Sequence, residues 1–163
     1  MSDNRQKATT LLRSLHIKQA PVDVEKIADF LGFKVIRYPF PDKLKGMVRI
    51  RENQMVKVIG INEKHPSYLQ RYTIAHELGH YLNGHEHLEK EFIDDDTRFY
   101  DSHFQQEKDA DRFAAELLMP KKFLEADLKT IGLNIKALVE KYNVSEQAMW
   151  IRLTSLRLAE KYS

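Results

Sequence analysis

The residues that most constrain the fold are His76-Glu77-Leu78-Gly79-His80, embedded among Ile74, Ala75, Leu78, Tyr81 and Leu82. The apolar flanks predict a mostly buried helix running from Pro66-Ser67 to about Asn83-Gly84. Burying two imidazoles and a carboxylate without a shared partner is costly, so any fold using this helix must bring that partner to it. On a helix, positions i and i+4 lie one turn apart on one face. His76 and His80 can therefore aim two ring nitrogens at one point, and neutral imidazole is a good zinc ligand. Glu77, next to the first histidine, projects beside that point, where a base for an activated water belongs. The motif fixes only three positions and recurs by chance. Surface or satisfied core histidines are the plainer reading, and the apolar flanks weigh against it.

A catalytic metal site needs a third protein ligand and an open position. One pattern places a further His six residues after the second, with Gly midway; Glu86 and Asn83 stand there, and His85 and His87 straddle the place. A second pattern takes a Glu from a later helix, with an acid or amide four residues on. Glu107 and Asp111 fit it and share a helix face with Ala110, Ala114 and Leu118. The small side chains of Ala110, Ala114 and Ala115 would let this helix approach the first closely. Glu107 is then the third ligand, and Asp111 accepts the free ring N–H of a ligating histidine. The plainer reading is a solvated acidic face. Asp109 is a weaker substitute ligand, because it projects about 200° around the helix from Glu107.

The rest of the chain reads as α+β. Ala8, Leu11, Leu12 and Leu15 form one amphipathic stripe; Val24, Ile27, Ala28 and Leu31 form another, stopped by Gly32. Phe33 to Tyr38 reads as a strand ended by Pro39 and Pro41. Met47 to Arg51 and Met55 to Ile61 read as two more, joined around Glu52-Asn53-Gln54 in a hairpin. This predicts a small sheet of about three strands packed on helices. Ser102 and Gln105 suggest a capping box opening a helix that ends before Pro120. Further helices follow to Gly132, from Ile135 to Tyr142, and from the cap Ser145 toward Lys161. The expected division is a core at 1–120 and a helical, helix-turn-helix-like extension at 121–163 packed on it.

Between Gly84 and Asp111 ten acids face Lys90, Arg98 and Lys108 without sustained periodicity, which predicts a loop. A solvated run is the plain reading; a negative rim favouring a basic substrate segment is the sharper one. Net charge is only +2, which gives little support to bulk capture of nucleic acid or membrane. The extension carries eight basic and five acidic residues, and Glu146 opens its would-be reading helix. That is poor for approaching phosphates, so packing or partner docking is favoured over DNA binding. Leu138, Val144, Ala148, Ile151 and Leu156 are its core candidates, and Trp150 is either core or a protein-contact anchor. There is no cysteine, the N-terminus MSDNRQKATT is polar, and no apolar run reaches the ~20 residues of a membrane span. A cytoplasmic location is expected.

Arg71-Tyr72-Thr73-Ile74-Ala75-His76-Glu77-Leu78-Gly79-His80-Tyr81 and Ala110-Asp111-Arg112-Phe113-Ala114-Ala115-Glu116-Leu117-Leu118-Met119-Pro120 resemble the two signatures of the ImmA/IrrE family of small bacterial metallopeptidases. The likeness runs from about Val22 to Pro120. Asp111 stands where the family often has Asn, and either side chain can accept a hydrogen bond. The resemblance implies a zincin-like core of the gluzincin type, one Zn2+ per chain, and a specific protein substrate. Family members typically cleave a helix-turn-helix repressor, often one controlling a mobile genetic element or a stress response.

In such a site Glu77 is the catalytic base, and a further donor stabilises the oxyanion. Tyr72, Tyr81, Tyr100 and His103 are available, each with a structural role as the plainer reading. A substrate can add as an extra strand to the hairpin at Met55 to Ile61. Two function classes remain: a site-specific endopeptidase, or anti-repressor, and a non-proteolytic zinc-containing module that binds a repressor or DNA. Intact His76, Glu77, His80 and Glu107 favour the first.

Overall fold

The computed structural model describes residues 2–51, 55–85, 90–93 and 104–163. Its elements, in chain order, are α1 (Ser2–Ser14), α2 (Val24–Phe30), β1 (Lys34–Tyr38), β2 (Leu44–Arg51), β3 (Val56–Asn62), α3 (Ser67–Leu82), β4 (Lys90–Ile93), α4 (Phe104–Leu118), α5 (Lys121–Ile131), α6 (Ile135–Tyr142), α7 (Glu146–Ser155) and α8 (Leu158–Tyr162). The architecture is α+β. Ser102 and the residues at 52–54, expected as a helix cap and a hairpin turn, lie outside the described residues.

The N-terminal stripes form as expected. Asp23 caps α2 by accepting from the Lys26 backbone N–H, and Val24, Ile27 and Ala28 turn inward. Gly32 adopts φ 86°, a left-handed conformation that costs glycine little. It ends the helix and swings Phe33, only 3% exposed, into the core ahead of β1.

The sheet runs β1-β3-β2-β4. β3 pairs parallel with β1, Val35 opposite Ile59, and antiparallel with β2, Val48 opposite Ile59. Alternation then puts Val48, Ile59 and Ile61 on one buried face. Two expectations are corrected here. The Met55–Ile61 strand is interior rather than an edge, because the parallel β1–β3 pairing encloses it, so no substrate can add there. The acidic stretch, expected as loop, contributes β4, which pairs antiparallel with β2 beyond the three expected strands. Among the described residues β1 and β4 are the two outer strands.

α3 lies on the buried face. Gly46 makes that approach possible, because a Cβ there would stand 2.8 Å from Thr73 Cγ2 and 2.6 Å from the Gly60 carbonyl oxygen. α4 crosses α3, and α1 packs against α4. One continuous apolar core extends from Ala8 through Ile74, Phe113 and Leu117 to Leu138, Met149 and Leu158.

The helices after Pro120 share this core and are pinned to it by two arginines. Arg152, 6% exposed, donates to the Met119 carbonyl at 2.9 Å and forms a bidentate pair with Glu116. Arg71 on α3 donates to the carbonyls of Val22, Tyr142 and Asn143. Asn143 turns left-handed at φ 50° between α6 and α7, and Ser145 caps α7 through the Ala148 N–H. The last helix, expected to be continuous toward Lys161, breaks at Arg157, where φ is 58°. The break turns Leu158 into the core, where it is 3% exposed. Ile151, expected in the core, is 61% exposed on the outside of α7, and Trp150 beside it is 40% exposed. Among the described residues no helix is long and apolar enough to cross a membrane.

Candidate metal centre

α3 presents His76 and His80 one turn apart on a face that the fold buries completely, each 0% exposed. Their Nε2 atoms face each other at 3.1 Å. α4 supplies the third group. Glu107 places Oε2 2.9 Å from His76 Nε2 and Oε1 3.1 Å from His80 Nε2. One ligand atom from each of His76, His80 and Glu107 lies within 4.8 Å of the others. Gly79, between the two histidines, allows this meeting. A Cβ there would stand 2.9 Å from the Ala110 carbonyl oxygen and 3.2 Å from Phe113 Cβ. The glycine of α3 and the alanine of α4 thus set the spacing at which a glutamate can reach two imidazoles.

One turn after Glu107, Asp111 reaches the other side of the His76 ring, with Oδ1 2.8 Å from Nδ1. The Tyr72 hydroxyl donates to the same oxygen. Glu77 is 1% exposed. Burial opposes charge on His76, but its hydrogen bonds with Asp111 and Glu107 and the charges of Glu77 and Asp111 push the ring up to about 9. Burial likewise disfavours a charged Glu107, yet hydrogen bonds from His76 and His80 hold its carboxyl well below the usual range. Asp111 is lowered in the same way, chiefly through His76, against the opposing effect of burial.

These donors suit a divalent cation. Ionised Asp111 can only accept, so His76 carries its proton on Nδ1 and, when neutral, turns the Nε2 lone pair toward Glu107. Lone pairs gathered in a dry space need a positive charge among them, a proton or a metal ion. Two imidazoles and a carboxylate are a donor set of catalytic zinc sites.

The sequence matches the model of the IrrE N-terminal-like domain, a peptidase family, over residues 28–154. The chain belongs to this family. The family is a peptidase family, and His76, His80 and Glu107 are this chain's candidate metal-binding group. The match runs through β1, the metal centre and most of α7. A solved structure described as a Mycobacterium tuberculosis transcriptional regulator has a similar fold, with TM-score 0.68 and 15% identity, over 94% of this chain and 47% of that one. The chain thus spans about half the length of that regulator. No curated protein sequence matches it significantly.

Of the other sequence candidates, Tyr72 reaches the cluster through Asp111. Tyr81 turns away; its hydroxyl lies 2.7 Å from Lys57 Nζ and its ring meets Phe33 edge-on. Tyr100 and His103 lie outside the described residues. Asp109 accepts from Gln105 at 3.2 Å and lies 3.7 Å from Arg112, on another side of α4. His85, off the spacing of a third histidine ligand, nevertheless stands against the centre. His85, 9% exposed, sets its Nδ1 2.7 Å from Nδ1 of His80. The available signal was Gly84, a helix-stopping glycine immediately before it.

Proposed function

We propose that this chain is a zinc-dependent, site-specific endopeptidase of the gluzincin type that cleaves a helix-turn-helix transcriptional repressor in the cytoplasm and so acts as an anti-repressor. The observation that carries the reading is the convergence of His76, His80 and Glu107, with the buried carboxylate of Glu77 near enough for its charge to act on His76. Residues 1–120 are the catalytic core in this reading, and 121–163 the helical extension packed on it.

His76 and His80 would hold the ion through Nε2, and Glu107 through its carboxylate. When bound, zinc acidifies a water and polarises the scissile carbonyl. Asp111 fixes the tautomer and orientation of His76, and Tyr72 in turn fixes Asp111. Glu77 takes the proton from the attacking water and passes it to the departing amine. Glu77 is itself only 1% exposed, which keeps its carboxylate from bulk solvent. Of the two candidate oxyanion donors among the described residues, Tyr81 turns away to Lys57 and Tyr72 reaches the ligands through Asp111; the role would require the Tyr72 hydroxyl to leave Asp111.

The test mixes the purified zinc-loaded protein with the helix-turn-helix repressor encoded beside its gene and follows intact mass. Cleavage that Glu77→Gln abolishes while zinc stays bound establishes the peptidase. Regulatory function retained in that variant, with the repressor intact, establishes a binding module instead.

A further inference from the structure

The end of α3 is shaped to place one more imidazole against the metal centre. Gly84 takes φ 65°. The N–H of His85 donates to the His80 carbonyl and the N–H of Gly84 to the Tyr81 carbonyl, each at 3.1 Å. This pair of reversed bonds is the Schellman helix stop, which lays the residue after the glycine over the residue five before it. An apolar contact usually fills that position. Here it is filled by two imidazoles with ring centroids 5.0 Å apart and Nδ1 atoms at 2.7 Å, one ring 0% and the other 9% exposed.

Two ring nitrogens at that distance share one proton, so one donates and the other accepts. The choice decides whether His80 can bind a cation. If His85 donated, neutral His80 would carry its proton on Nε2, aimed at His76 Nε2 and Glu107, and could not ligate. If His80 donates, its Nε2 lone pair joins theirs. Ligating histidines usually give this second N–H to a carboxylate, a backbone carbonyl or water, as His76 does to Asp111.

We propose that His85 is a positioning residue: its neutral Nδ1 accepts the Nδ1–H of His80 and thereby fixes the tautomer and ring angle in which His80 binds the metal. The proposal rests on the zinc reading above and adds a residue to it. The two ligating histidines are then oriented by different devices. A carboxylate from α4 orients His76, and the stop of α3's own helix orients His80.

The test uses the full chain and zinc itself. His85→Leu puts the usual apolar residue over His80, retaining the helix stop, but removes the acceptor. His85→Asn returns an acceptor atom near the place of Nδ1. Zinc affinity, measured by competition with a chromophoric chelator, should fall about 10–100-fold in His85→Leu and largely recover in His85→Asn, with the far-UV spectrum of all three proteins alike. Undiminished zinc affinity in His85→Leu would overturn the proposal. Failure of the wild type to bind zinc would instead overturn the peptidase reading. Should His85→Leu not fold, nitrogen-15 spectra of the zinc-loaded wild type decide. His80 protonated at Nδ1 beside an unprotonated His85 Nδ1 supports the proposal. A zinc-bound His85, or His80 protonated at Nε2, refutes it.

Discussion

Gly79 of α3 lies against Ala110 of α4 so closely that a Cβ on the glycine would stand 2.9 Å from the alanine's carbonyl oxygen and 3.0 Å from its Cα. These neighbours are backbone atoms, which cannot swing aside as a side-chain end can. Gly79→Ala therefore has to separate the helices. The expected cost is about 1–3 kcal/mol of overpacking, read as a lower urea midpoint. Zinc affinity should fall in parallel, because Glu107 would be drawn back from both imidazoles. Unchanged affinity would mean that the spacing does not set the site.

Glu107→Gln keeps the shape of the third ligand and removes its charge. The loss in zinc affinity should exceed the ~10–100-fold typical of an outer hydrogen-bond partner, whereas Asp111→Ala should stay within that range. Metal content after dialysis against a graded chelator separates the two. Equal losses would mean that Glu107 does not ligate.

Much of this centre was legible from spacing. The i, i+4 histidines, the small residues of α4 and the Glu107–Asp111 interval are local facts, and local geometry carries them into the fold. Features decided by pairing or by single dihedrals were not legible. Nothing in Met55 to Ile61 says that β1 pairs beside it in parallel and encloses it. β4 has only four residues amid acids, too few to show alternation. Arg157 breaks the final helix without any glycine, proline or asparagine to mark the left-handed turn. Gly84 did mark the end of α3, but its consequence for His85 follows only from the hydrogen-bond pattern of the stop.

The metal-free protein should show a definite pH window. His76 rises from 6.5 to about 9 on folding, so its stabilising contribution is complete below about 6.5 and is lost as pH climbs through 9. Glu107 and Asp111 are lowered from 4.5 and 3.8, so their contributions are present above those values and vanish as pH falls below them. Chemical denaturation of chelator-treated protein should therefore find greatest stability between about pH 4.5 and 6.5 and a decline toward pH 9. With zinc bound the decline should disappear, because the ion takes the place of the His76 proton. A flat profile from pH 6 to 9 in the metal-free protein would contradict the assigned contacts.

Arg152 joins the later helices to α4 while almost wholly buried. Arg152→Met leaves Glu116, 18% exposed, without that partner. Breaking a buried pair in this way costs about 3–5 kcal/mol, so a large drop in urea midpoint is expected. Because residues 121–163 share one core with the rest, the wild type should unfold in a single transition by far-UV and tyrosine signals alike. Separate transitions would show the extension to be independent.

The central claim is tested most directly by anomalous diffraction at the zinc edge from crystals of the zinc-loaded full chain. The account predicts a single strong peak bonded to His76 Nε2, His80 Nε2 and a Glu107 oxygen at about 2.0–2.2 Å, with Glu77 beside it. A peak elsewhere, or a zinc held by the two histidines while Glu107 points away, would contradict it.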